Sequence, residues 1–234
     1  MKNQILTAAA TTAIVGLASV APALAASFGT SGISFDEDTT VEFEVLQTYG
    51  AYMSDLKVYE VIDGQIAGDL GLLFGEVQAA DVVDANGRPS SDPLGTAGNA
   101  VIGSPTYFTF EADKEYTLGV VNYGWWQNKE TDAPRYQTVY STSILNDNGT
   151  QRAVFDSTGG SELNGFDASM YTEGDVFGDW LNMSFDDGGN QSDLDYQDFT
   201  FRAKVKTPEP AVLLGLGVAV GGMFLTRRNK NKVS

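Results

Sequence analysis

The sequence predicts an all-β protein: one antiparallel β-sandwich or jelly-roll domain between an N-terminal signal peptide and a C-terminal transmembrane helix. Three observations predict it. Short stretches of apolar and polar residues alternate strictly, and turns rich in Gly, Asp, Asn and Ser separate them. No stretch between the two ends keeps a helical period over three turns. The long uncharged runs that are also predominantly apolar lie at the two ends.

Residues 1–25 read as a secretory signal. Lys2 supplies the positive start, Ile5 to Val20 carries no charge, and Ala23-Leu24-Ala25 fits a small-x-small cleavage box. Cleavage marked by Ala23, Ala25 and Ala26 would leave Ala26 first, and signal peptidase is the implied partner. Residues 26–38 read as a flexible lead-in, with Asp36-Glu37-Asp38 as a solvated charge run.

Residues 39–206 read as the β domain. Val41, Phe43 and Val45 alternate with Glu42 and Glu44, which buries one face and wets the other. Leu56 and Val58 share one face of the next strand, and Lys57 and Tyr59 share the other. Phe108 and Phe110 flank Thr109, and Leu118 to Val121 forms an apolar run after Glu115-Tyr116. Val139 to Thr142 and Ala153 to Phe155 are further candidates. Leu181, Met183 and Phe185 alternate with Asn182 and Ser184, and Phe199, Phe201, Ala203 and Val205 alternate with Thr200, Arg202 and Lys204. Asp81 to Gly98 and Ser157 to Gly165 carry loop chemistry. No repeat of fixed period is present, and the length suits one sandwich domain.

The C-terminal end has three parts in order. Thr207-Pro208-Glu209-Pro210 precedes the uncharged run Ala211 to Thr226, and Arg227, Arg228, Lys230 and Lys232 follow. The 17 uncharged residues between Glu209 and Arg227 span about 25 Å as a helix, the lower limit for crossing a bilayer with snorkelling flanks. The four cations predict a cytoplasmic C-terminus.

Composition narrows the chemistry. The 234-residue chain has no Cys and no His, which excludes disulfides, thiol nucleophiles, Ser-His-Asp triads, haem ligation through His and the usual zinc sites. Its formal net charge is −17, which argues against a nucleic-acid partner. Residues 26–207 hold 9 Lys and Arg against 30 Asp and Glu, a net of −21. That imbalance favours solubility and cation binding. No P-loop and no dinucleotide-binding glycine fingerprint occurs.

The acids concentrate where chemistry is most readable, in Phe185 to Phe199. A strand ends in Asp186-Asp187, a Gly-rich turn follows, and the return carries Asp193, Asp195 and Asp198. In an extended chain Asp193 and Asp195 point the same way, and the turn would fold Asp186 or Asp187 towards them. Two carboxylates ~4 Å apart repel by about 4 kcal/mol at an effective dielectric of ~20. Several converging acids therefore call for a hard cation. Calcium suits them better than magnesium, because it accepts many oxygens in irregular geometry. The order is not that of an EF-hand, since Asp198 stands where the loop glycine would fall.

Two resemblances rest on these motifs. The tail from residue 207 to 232, with Pro208, Glu209 and Pro210 followed by an apolar helix and Arg227-Arg228, resembles the PEP-CTERM sorting signal of Gram-negative bacteria, cyanobacteria included. That resemblance implies a transient membrane anchor, removal of the tail by an exosortase-type enzyme, and delivery to the outer surface or extracellular matrix. The acidic segment resembles the C-terminal signature of a secreted domain of unknown function: Phe-Glu-Asp, a Gly-rich gap, then Asp-x-Asp-(Tyr/Phe)-Asn-Asp. Here those positions are Phe185, Asp186, Asp187, Asp193, Asp195, Tyr196, Gln197 and Asp198, with Asp186 in place of Glu and Gln197 in place of Asn. Val45 to Tyr52, Thr109 to Gly119 and Val139 to Thr142 also look like cyanobacterial members of that group. This second resemblance implies a β-rich extracellular domain of unestablished biochemical role, often paired with sorting signals and suspected of binding calcium.

The expectation is an exported, non-enzymatic surface or matrix protein, structural or adhesive, with calcium held by Asp186, Asp187, Asp193, Asp195 and Asp198. Two alternatives stand beside it. Trp125 and Trp126, in a loop-like stretch, would contact exopolysaccharide in a carbohydrate-binding module. A pair of facing carboxylates in a cleft would make a hydrolase.

Overall fold

The computed structural model describes residues 26–48, 53–76, 105–123, 134, 137–188 and 194–206. Among them the chain forms eleven strands in two antiparallel sheets. The signal peptide and the sorting tail lie outside the described residues. No described helix is long and apolar enough to cross a membrane.

In the first sheet the spatial order is β1 (Ala26–Gly29), β2 (Gly32–Phe35), β7 (Glu115–Asn122), β4 (Ser54–Ile62) and β5 (Gln65–Gly75). β8 (Val139–Tyr140) also pairs with β7. The second sheet runs β6 (Thr106–Phe110), β3 (Thr39–Thr48), β11 (Phe199–Val205), β10 (Leu181–Phe185) and β9 (Ala153–Phe155).

The alternation read from the sequence decides which faces meet. Val41, Phe43, Met183, Phe185, Phe199, Phe201 and Ala203 from one sheet share a core with Leu56, Val58, Leu118, Val120 and Phe74 from the other. Rings make the inter-sheet contacts: Phe74 lies 6.5 Å from Phe201, and Phe110 packs edge-on to Tyr116 at 5.1 Å. Each such side chain contributes about 1.5–3 kcal/mol when removed from water. On the second sheet's outer face, Arg202 donates to Glu44 and sits 4.4 Å from the Trp180 ring centre.

One reading needs correction. Residues 26–38 are not a loose lead-in, because β1 and β2 form a hairpin and β2 joins β7 at Ile33 and Tyr116. The cause is burial: Phe28, Ile33 and Phe35 enter the core. Among the described residues the sheet thus begins at Ala26, while Asp36, Glu37 and Asp38 are exposed as expected. On the other face of β4, Tyr59 joins Met53, Val121 and Tyr123 in a second apolar cluster. β5 carries no clean alternation in the sequence, because Gly68 and Gly71 interrupt it, and its pairing with β4 shifts register three times.

Candidate metal centre

The centre forms where β10 runs out. Phe185 pairs with Phe199 on one side and Ala153 on the other. One residue further, the Asp186 amide donates to the Arg152 carbonyl at 3.0 Å, and the Asp198 amide donates to the Phe185 carbonyl at 3.1 Å. Three strand ends thereby place Arg152, Asp186 and Asp198 side by side.

Asp186, Asp187 and Asp198 each offer a carboxylate oxygen, and these atoms lie within 4.8 Å of one another. Asp186 is 1% exposed and Asp187 6%. Arg152 Nη1 donates to both oxygens of Asp186 at 3.0 Å. The Gly188 amide donates to Asp186 Oδ1 at 2.6 Å, and the Asp187 amide donates to Asp198 Oδ2 at 2.8 Å. From the facing sheet, Asn122 Nδ2 donates to the Asp187 carbonyl.

Asp198 is half-buried as a residue, but its carboxyl lies among protein atoms. That burial, then the charge of Asp187, holds its proton affinity well above the ordinary aspartate value of 3.8. The Asp187 amide opposes the shift, and Asp186 and Asp195 add to it. A raised carboxyl binds its proton more tightly in the folded state. Its contribution to stability is full below the ordinary value and is lost as pH rises through the raised one. In chelator, the urea midpoint should fall over that window. Asp198→Asn should flatten the fall, and equal slopes in both proteins would rule out Asp198 as its source.

Three of the five expected ligands meet: Asp186, Asp187 and Asp198. Asp195 is not one of the three. Leu194 has φ +39°, and Tyr196-Gln197 is a turn, so this stretch is not extended and the two-residue side-chain period does not apply. Asp195 instead bridges to Ser161 and accepts a bond from Gln197 Nε2 at 2.9 Å. Asp193, Trp125 and Trp126 lie outside the described residues, as do Pro208, Glu209, Pro210, Arg227 and Arg228. Ala23 and Ala25 lie outside them too, and Ala26 opens β1.

Arg152 and Asn122 were not read as site residues. Arg152 was visible as one of few cations, directly before the strand Ala153 to Phe155. Asn122 gave no signal. A cavity of about 110 Å³ borders the centre at Arg152 and Gly188. A more open one of about 480 Å³, along Ser27, Ser34, Asp36, Asp113 and Glu115, touches none of the three aspartates.

The fold and the site together define an all-β domain with a buried three-carboxylate centre. No family model, no curated protein and no solved structure matches the chain.

Proposed function

We propose that this is an exported, non-enzymatic surface or matrix protein whose single β-sandwich domain is stabilised by a divalent cation at Asp186, Asp187 and Asp198. One observation carries the cation reading: three carboxylates and one guanidinium meet in a largely buried volume. Among the described residues three carboxylates face one guanidinium, an excess of acid that a divalent ion would offset. The candidate donors are all carboxylate oxygens, which suits a hard cation such as calcium. Burial of Asp186 and Asp187 supports a structural role over a catalytic one, since a polymeric substrate has little access to them.

Export and surface delivery rest on the two end segments, residues 1–25 and 207–232. Intact-mass analysis of the mature chain should show Ala26 first and the tail after Pro210 missing; an unprocessed chain would defeat this part.

Calcium at ~100 times its dissociation constant should add about 2.7 kcal/mol. For a domain of this size that raises the thermal midpoint by roughly 5–11 °C over chelator. Asp187→Asn should lose most of that gain. A wild-type midpoint indifferent to calcium would remove the cation from the proposal.

A further inference from the structure

We propose that Asn122 is the positioning residue of this centre, and that through it cation binding locks the two sheets together at one end. The proposal rests on the reading of the three aspartates as a cation site.

Asn122 closes β7, sits opposite Ser54 of β4, and is fully buried. Both ends of its amide are committed. Nδ2 donates to the Asp187 carbonyl, and Oδ1 accepts from Ser54 Oγ at 2.7 Å. The Ser54 amide donates to Glu76 Oε2 at 2.8 Å, and the Glu76 amide returns a bond to the Ser54 carbonyl at 2.9 Å. Glu76 follows directly on β5 and is 2% exposed. A continuous chain of hydrogen bonds therefore runs from Asp198 through Asp187, Asn122 and Ser54 to Glu76. It starts between β10 and β11 of one sheet and ends at the edge strand of the other.

The links from Asp187 to Glu76 are buried, where a hydrogen bond is strong and an unmade one is costly. The main chain of Asp187 is gripped on both sides, by Asn122 at its carbonyl and by Asp198 at its amide. Its carboxylate direction is set by that grip, so Asn122 acts on the cation through Asp187 and does not touch it. An ion that immobilises Asp187 and Asp198 also immobilises what they hold. The effect should reach the amides of Ser54 and Glu76, which lie on other strands.

The test uses the purified full chain, calcium chloride and chelator, with calorimetry for affinity and amide hydrogen exchange for local opening. In the wild type, calcium should slow exchange at the Ser54 and Glu76 amides by about tenfold or more. Asn122→Ala should weaken calcium binding by about tenfold and abolish the calcium-dependent slowing at Ser54 and Glu76. Ser54→Ala cuts the chain one link further on and serves if Asn122→Ala does not fold. It should keep near wild-type calcium affinity and lose the slowing at Glu76. Calcium binding without slowing at Ser54 and Glu76 in the wild type would overturn the coupling and leave the cation site standing. Unchanged affinity in Asn122→Ala would overturn the positioning role. Absence of any calcium binding to the wild type would overturn the site itself and this proposal with it.

Discussion

Replacing Arg152 with methionine is expected to destabilise the protein in chelator by about 3–5 kcal/mol, and by clearly less with calcium present. Arg152 reaches Asp186 with one nitrogen placed 3.0 Å from both carboxylate oxygens. The two side chains are 16% and 2% exposed, so solvent screens the pair little. Methionine keeps most of the length and apolar contact but no charge. It leaves three converging carboxylates to repel one another, and the folded state carries that cost because Asp186 and Asp187 cannot turn out to water. A divalent ion supplies the missing positive charge, which is why the loss shrinks in calcium. By linkage, the variant should also bind calcium more tightly than the wild type. Urea unfolding in the two buffers measures both effects. Equal losses with and without calcium would mean that Arg152 and the ion do not share Asp186.

Gly159→Ala should cost about 2–5 kcal/mol and lower the thermal midpoint by roughly 10 °C. Gly159 has φ +80°, a conformation that costs an L-residue about 1–2 kcal/mol. A methyl group there would lie 1.5 Å from the Tyr196 carbonyl oxygen, so backbone must move and no side chain can yield instead. Tyr196 is not free to retreat. Its ring is 2% exposed, its hydroxyl donates to the Gln151 carbonyl at 3.1 Å, and its amide donates to the Gly160 carbonyl at 3.0 Å. Gly149→Ala is the internal control. It has φ +69° with nothing within 4 Å of the added carbon, so it should show the backbone cost alone. Similar midpoints for the two variants would show that the loop relaxes around the methyl group.

The same turn explains where reading from the chain stopped. Asp186 and Asp187 follow Phe185 along a strand, and Asp198 precedes Phe199 on its neighbour. Their convergence follows from pairing two alternating strands across one hairpin, which is legible in the pattern. The two-residue period of an extended chain puts Asp195 on one face with Asp193. The positive φ of Leu194 and the turn at Tyr196-Gln197 send it elsewhere, towards Ser161 and Gln197. β1 and β2 were missed for a related reason. Two four-residue strands carry too few alternations to stand out, and only the covering sheet shows that Phe28 and Ile33 are core.

The residues that hold the centre in place were beyond reach in the chain. Arg152 is 34 positions from Asp186, and Asn122 is 65 from Asp187. Arg152 meets Asp186 because β9 pairs beside β10, and Asn122 meets Asp187 from β7 in the other sheet, whereas strand alternation carries no information about which strand lies next to which.

Alternation, turn residues and composition, all local or additive properties, were enough to specify the all-β class, the surplus of acid and three of the metal-binding candidates. Strand pairing and the packing of one sheet on the other decided the rest: which cation opposes Asp186, which amide grips Asp187, and which carboxyl has its proton affinity raised. Those are interactions through space in a low-dielectric interior, and they exist only once distant segments have been brought within a few ångströms of each other.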